Sequence, residues 1–320
     1  MSRVGSVVRT AGSTPWIWSY VAAAAVWAAT VAFRPSGQSA GGLITAALTF
    51  GTFFALVSIG QMFVVTLGPG NVDLSIPATM TLAGTVAMKA MDGSDAAIPM
   101  GLALALVVGA IVGVANFGLI RLLRIPPIIA TLSSSFIVLS TAIWWNRGLR
   151  IKPPEVLADV ATTNLVGVPV LALLVIALAA VMHVVLARTL FGRSVTAIGQ
   201  NQRAAHLAGV PVERVRLAAY VLCAVLAALT GFLVSAFSGG AALNMGEEYL
   251  LTSIAVVVIG GTSVAGGFGN VPGLWGAALF LFLLVAMLNT YGFGAGPRLI
   301  LTGVIVILVI VAASARKPSG

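Results

Sequence analysis

Ten apolar stretches, most of them about as long as a bilayer is thick, follow one another near residues 16–33, 43–67, 76–91, 97–120, 127–145, 166–190, 212–237, 249–266, 272–292 and 297–315. A helix rises ~1.5 Å per residue, so about 20 residues cross the ~30 Å hydrocarbon layer, where the backbone must satisfy its own hydrogen bonds. The pattern therefore predicts an all-α, polytopic integral membrane protein of about ten transmembrane helices, some broken by Gly/Pro segments. Charged residues make up 8% of the 320, against ~25% in globular proteins, which excludes a water-soluble body. The third stretch is short enough to be a tilted or broken helix. The first follows Arg3 and Arg9 as a signal sequence would, but it is long and no small-residue cleavage site follows, so a retained helix is expected. No linker or low-complexity segment divides residues 1–320, which read as a single transmembrane domain.

The chain carries 17 Lys and Arg against 8 Asp and Glu. Such a surplus can mark nucleic-acid binding, but its placement follows membrane topology instead. With the N-terminus cytoplasmic, the inner loops collect eleven cations, from Arg3 and Arg9 through Arg121, Arg124, Arg188, Arg193, Arg203, Arg214 and Arg216 to Arg316 and Lys317. The outer loops are electrically balanced. Orientation follows Lys and Arg in short loops, so both termini are expected in the cytoplasm. Trp16, Trp18, Trp144 and Trp145 fall at helix ends, where amphipathic rings favour the interface.

Several chemistries are missing. The phosphate loop G-x-x-x-x-G-K-[ST] is absent, and neither His183 nor His206 belongs to an H-E-x-x-H or G-x-S-x-G pattern. Cys223 stands alone, which rules out an intrachain disulfide and a cysteine-based metal site. The reading is of a chain that is not an enzyme and holds neither cofactor nor metal.

Asp73 lies in a Gly-rich break, 67–75, between two apolar runs. A carboxylate deep in a bilayer costs on the order of 3 kcal/mol, so it is expected to face protein or a water-filled route. Two uses stay open: Asp73 or Ser75 caps the following helix, or Asp73 belongs to a pathway. Gln61, Asn116 and Asn289 offer amides within apolar runs, either to a polar solute or to neighbouring helices. Two interruptions echo one another, Gly68-Pro69-Gly70-Asn71-Val72 and Gly267-Phe268-Gly269-Asn270-Val271. The topology puts both on one side of the membrane. They are either broken helices lining a path or ordinary turns.

The inner loop 191–211 contains a helix with both ends marked. Asn201 suits the N-cap, Gln202 to Ala208 favour helix, Gly209 suits the left-handed C′ position, and Pro211 suits the first turn of the next helix. Ala204, Ala205 and Ala208 would leave a low-relief face for a partner's groove. A plain interfacial connector is the alternative.

Four ordered motifs over roughly residues 45–313 carry a resemblance. The loop from Ile198 through Val215, Gly70-Asn71-Val72-Asp73-Leu74-Ser75, Ile125-Pro126-Pro127 through Thr131-Leu132, and Ile254 through Ser263 with Gly266 to Val271 resemble segments of ribose-type (monosaccharide) ABC importer permeases. The wider family includes branched-chain amino acid permeases. The resemblance implies alternating access in a bacterial inner membrane, with a small polar solute such as a monosaccharide or polyol moving inward. It implies separate ABC ATPase subunits holding ATP and Mg, a second permease copy (identical or paralogous), an extracytoplasmic solute-binding protein, and no nucleic acid. Gly199, Asn201, Arg203, Ala204, Ala205 and Gly209 would couple to the ATPase through a cytoplasmic helix near 201–209. Gln61, Asn71, Asp73, Ser75, Asn116, Thr131, Asn270 and Asn289 would be pathway or framework positions.

Two departures bear on the solute. Tyr249 to Ile254 lacks the acidic residue the family often carries there, and Pro77 stands where the Asp-Leu-Ser segment usually continues into Gly. Branched-chain amino acid transport is one alternative. A secondary transporter is the other, with Asp73 as its candidate coupling acid.

Overall fold

The computed structural model describes residues 16–33, 39–146 and 151–314. The chain forms α1 (Ile17–Ala32), α2 (Ala40–Thr66), α3 (Ile76–Met91), a 3-10 turn (Asp95–Ala97), α4 (Ile98–Leu123) and α5 (Pro127–Asn146). There follow α6 (Glu155–Thr162), a two-stranded hairpin of β1 (Asn164–Leu165) and β2 (Val168–Pro169), α7 (Val170–Arg188), α8 (Leu190–Gln200) and α9 (Gln202–Leu207). The last four helices are α10 (Val212–Phe237), α11 (Glu247–Ile259), α12 (Val271–Thr290) and α13 (Ala295–Ser314).

Each of the ten apolar stretches contains a helix, and among the described residues six segments are long and apolar enough to cross a membrane. Their ends follow local chemistry. Ser39 caps α2 by accepting the Gly42 N–H at 2.9 Å, which starts that helix three residues before the apolar run. The eighth stretch, expected over 249–266, stops being helix at Ile259, because Gly260 and Gly261, the latter with φ +89°, break it. With 13 residues α11 spans about 20 Å, and α3 with 16 spans about 24 Å, both short of the hydrocarbon thickness. Each adjoins one of the two Gly-rich breaks.

α10 is the hub of the bundle, packed against α2, α3 and α4. Small residues allow that approach, as is usual where lipid supplies no hydrophobic drive between helices. A Cβ at Gly113 of α4 would sit 2.5 Å from the Val221 Cα, and one at Gly109 would sit 2.7 Å from the Ala224 carbonyl oxygen. Large side chains cover the outside of α4 and α5, among them Ile111, Phe136 and Trp144, as a lipid-facing surface requires. At one end Lys89 lies 4.7 Å over the Trp145 ring and donates to the Trp145 carbonyl, tying α3 to α5.

Two pieces of structure exceed the expectation. The polar loop 146–165 contains α6, which packs Leu157 and Ala161 inward and whose Val156 N–H is accepted by Asp95 at 3.0 Å. The loop 191–211 contains α8 as well as α9. In α8 Val195 and Ile198 are buried while Arg193 and Gln200 are exposed, which is amphipathic helix spacing. Pro211 is the N-cap of α10 rather than part of its first turn.

Candidate coupling surface and mid-membrane polar cluster

Between α2 and α3 the backbone turns at Gly68 and Gly70, with φ +120° and +78°, and then passes through Val72 and Asp73 outside any helix, leaving N–H and C=O groups there without helical partners. Side chains from two helices take their place, and one from a third fixes the Asn71 side chain. Gln61 of α2 accepts the Asp73 N–H at 3.2 Å and donates to the Asp73 carbonyl at 3.5 Å. Thr131 of α5 accepts the Leu74 N–H at 3.0 Å, and its one hydroxyl proton is within reach of the Pro127 carbonyl of its own helix at 3.0 Å and of the Val72 carbonyl at 3.3 Å. Tyr220 of α10 donates to the Asn71 side chain at 3.1 Å. The break is thus held open as a built feature.

The Asp73 carboxylate is at the centre of this cluster and is 0% exposed. Its Oδ1 accepts the Ser75 N–H at 2.9 Å, the Ser75 hydroxyl at 2.6 Å and the Asn116 amide at 3.4 Å. Asn116 also donates to Ser75 Oγ at 2.8 Å and accepts from the Ser134 hydroxyl. Among the described residues Asp73 Oδ2 has no hydrogen-bond partner. The capping expectation is thereby amended: Ser75 occupies the N-cap of α3 but its side chain makes no cap bond, and Asp73 serves the helix start from two residues upstream as an Asx turn. Gln61, Asp73, Ser75, Asn116 and Thr131 are all fully buried, so in this conformation they brace the bundle. Ser134, Tyr220 and Cys223 complete the cluster; the first two were not singled out in the sequence, and Cys223 was read there only for disulfide and metal chemistry. The Ser134 position, three residues past Thr131 on the same helix face, was the available signal.

The two remaining amides are elsewhere. Asn270 holds the second break, donating to the Gly260 carbonyl at 2.9 Å, while its N–H goes to Thr262 Oγ1 at 3.3 Å. Asn289 is exposed near the end of α12 and accepts from Arg298 at 2.5 Å, so it joins neither the Asp73 cluster nor the second break.

α9 has the expected caps. Asn201 Oδ1 accepts the Ala204 N–H at 2.9 Å. At the other end Gly209, with φ +84°, donates to His206 O, and Val210 donates to Ala205 O, which together make a Schellman motif. The docking face differs from expectation at Ala205, which is 5% exposed and packs inward; the exposed face comprises Gln202, Arg203, Ala204, His206, Leu207 and Ala208. The reason is periodicity, since Ala205 lies on the side of this two-turn helix that faces the bundle core. Leu207, 79% exposed, is the large apolar side chain on the outer face.

Just before α9, the end of α8 meets both breaks. A Cβ on Gly199 would overlap the Thr66 carbonyl oxygen and the Gly267 N–H. A Cβ on Gly266 would come within 2.6 Å of the Gly68 N. The Gly267 N–H donates to the Thr66 carbonyl at 2.9 Å, and Gln200 donates to the Gly267 carbonyl at 3.4 Å. The two echoing Gly-rich segments are therefore neighbours at one end of the bundle, touching each other and the chain that leads into α9. Arg121 and Glu213, paired at 3.0 Å, join the end of α4 to the start of α10 among the same set of arginine-rich loops.

Among the described residues no group of His, Cys, Asp and Glu could hold a metal ion. Comparison with known proteins agrees with a transport role for this architecture. Among curated relatives, the autoinducer 2 import system permease protein LsrD of Photorhabdus temperata is 28% identical over 252 residues, 77% of this chain and 75% of that protein. The protein of the same name from Escherichia coli (strain K12) is 27% identical over 252 residues, 77% of this chain and 76% of that one. No solved structure matches the chain. Residues 43–314 match the model for the permease component of branched-chain amino acid transport systems, and the chain belongs to that permease family.

Proposed function

We propose that this multi-pass membrane permease is the translocating subunit of an ATP-driven importer, carrying a small polar solute inward by alternating access. The observation that carries the reading is the capped, outward-facing helix α9, joined through Gly199 to both breaks in the membrane helices. A separate ABC ATPase subunit, binding ATP and Mg, would dock on the exposed face of α9. Its closure would push α8 against Thr66 and Gly267, and so act on the start of α3 and on the second break together. A second permease copy would complete the path, and an extracytoplasmic binding protein would deliver the solute. Both termini are assigned to the cytoplasmic, arginine-rich side; residues 1–15 and 315–320 themselves lie outside the described residues. The import systems named for the relatives support the inward direction. A monosaccharide or polyol is the favoured solute, since the break segments resemble those of ribose-type permeases.

The test is reconstitution of the permease with its genomic-neighbour ATPase and binding protein. ATP hydrolysis should be stimulated by the loaded binding protein, and uptake should follow one member of a panel of monosaccharides, polyols, branched-chain amino acids and autoinducer 2. Uptake that ignores ATP would overturn the proposal.

A further inference from the structure

A cleft of about 390 Å³ opens between the last turns of α7, the outer face of α8 and the second Gly-rich break. His183, Leu186, Arg193, Thr196, Gln200 and Phe268 line it. It is separate from the buried Asp73 cluster and from the exposed face of α9. Its charge is one-sided: Arg193 lines it and Arg188 ends α7 beside it, while no carboxylate lines it. Among the described residues, the salt bridges of this end join Glu213 to Arg121 and Arg216, which leaves Arg188 and Arg193 without a carboxylate.

The surroundings specify the rest of the ligand. Val184 lies one turn before Ala187, which lines the cleft, and Val181 one turn before Val184, so an exposed apolar ridge of α7 ends at the cleft. Phe268, 56% exposed, is the aromatic side chain of its lining. His183 is five residues before Arg188, about 7.5 Å along the helix from its charged end, which matches the glycerol and headgroup layer. Cations above apolar walls in a cleft between membrane helices suit an anionic headgroup with an acyl tail. A free phosphate would use the guanidinium but leave Phe268 and Leu186 unengaged.

We infer that this cleft binds the phosphate headgroup of an anionic phospholipid. The Arg193 guanidinium takes the phosphate oxygens as a bidentate donor, Thr196 and His183 add single donors, and the acyl chains descend along Val184 and Val181. Because Gln200 lines the same cleft and also donates to the Gly267 carbonyl, the lipid braces the junction between α8 and the second break.

Native mass spectrometry of the purified full-length permease, offered equal phosphatidylglycerol and phosphatidylcholine, tests this. Phosphatidylglycerol should be retained preferentially, and Arg193→Gln should reduce its retention about five-fold. Arg124→Gln, which removes an equal charge at the same end but outside the cleft, should leave it unchanged. If Arg193→Gln does not elute as folded protein, Arg193→Lys, which keeps the charge but not the planar fork, should keep a weakened lipid preference; complete loss of preference there overturns the site. Equal retention of the two lipids, or an equal effect of Arg124→Gln, overturns it too. Displacement of lipid by inorganic phosphate at matched ionic strength would assign the cleft to a free anion. Loss of ATPase association with unchanged lipid retention would assign it to the protein partner. Either result refutes the lipid site.

Discussion

The Gly267 N–H donates to the carbonyl oxygen of Thr66 across 2.9 Å, although 201 positions separate the two residues. Thr66 is the last residue of α2 and Gly267 lies in the break before α12, so this bond joins the two interrupted regions of the bundle. Gly199 fits against both partners with no room for a side chain. Motion of α8 would therefore reach both breaks at once.

Gly199→Ala is expected to wedge α8 away from this bond. Overpacking at a backbone contact costs about 1–3 kcal/mol, which should appear as a lowered melting temperature of the purified permease. The more telling measurement is the ratio of solute taken up to ATP hydrolysed in the reconstituted system, which should fall more steeply than stability does. A variant with normal stability and normal coupling would show that the junction transmits nothing.

The face of α9 yields a contrast between adjacent residues. Ala204→Glu changes an exposed surface and should leave the melting temperature nearly unaltered while weakening co-purification of the ATPase subunit. Ala205→Glu forces a carboxylate into a site that is 5% exposed, and should destabilise the protein by on the order of 2–4 kcal/mol whether or not the ATPase is present. Equal effects of the two substitutions on stability would contradict the described orientation of α9.

How much of this was legible follows from the range of each signal. The caps of α9 were readable because Asn201 and Gly209 act on backbone within a few residues. The inward turn of Ala205 was not, since two alanines in a six-residue helix, with a third at its C-cap, give no apolar stripe against which to fix a face. The hairpin at 164–169 was hidden by its turn: Val166 has φ +53°, a conformation in which Asn or Gly is expected and a β-branched residue is a poor signal. Gln61, Asn116 and Asn289 looked alike as amides in apolar runs. Only tertiary packing separated the first two, which reach the Asp73 segment, from Asn289, which meets Arg298. The echo of Gly68 and Gly267 was visible as composition, but their contact depends on how α2, α8 and α11 pack.

Topology can be tested by cysteine labelling, because Cys223 is 0% exposed and gives little background. A cysteine at Asn201 should be protected from an impermeant thiol reagent in intact cells and react after permeabilisation, and one at Ser319, outside the described residues, should behave alike. A cysteine at Glu155, the first residue of α6, should react from outside. Labelling of position 201 in intact cells would place α9 on the wrong side for an ATPase.

Asp73 separates an ATP-driven permease from an ion-coupled carrier. Its Oδ1 receives the Ser75 N–H and hydroxyl, bonds that an asparagine side-chain oxygen can also accept. Asp73→Asn should therefore keep the start of α3 intact and retain substantial uptake. Asp73→Leu removes the acceptor, leaves the Ser75 N–H and the Asn116 amide poorly satisfied in a fully buried site, and should cost about 1–3 kcal/mol for each group left unpaired. Uptake by the wild type should also persist when the proton gradient is collapsed and ATP is maintained. If Asp73→Asn instead abolished uptake while the protein stayed folded, and transport stopped with the gradient, the carboxyl would be carrying a proton rather than holding a helix start.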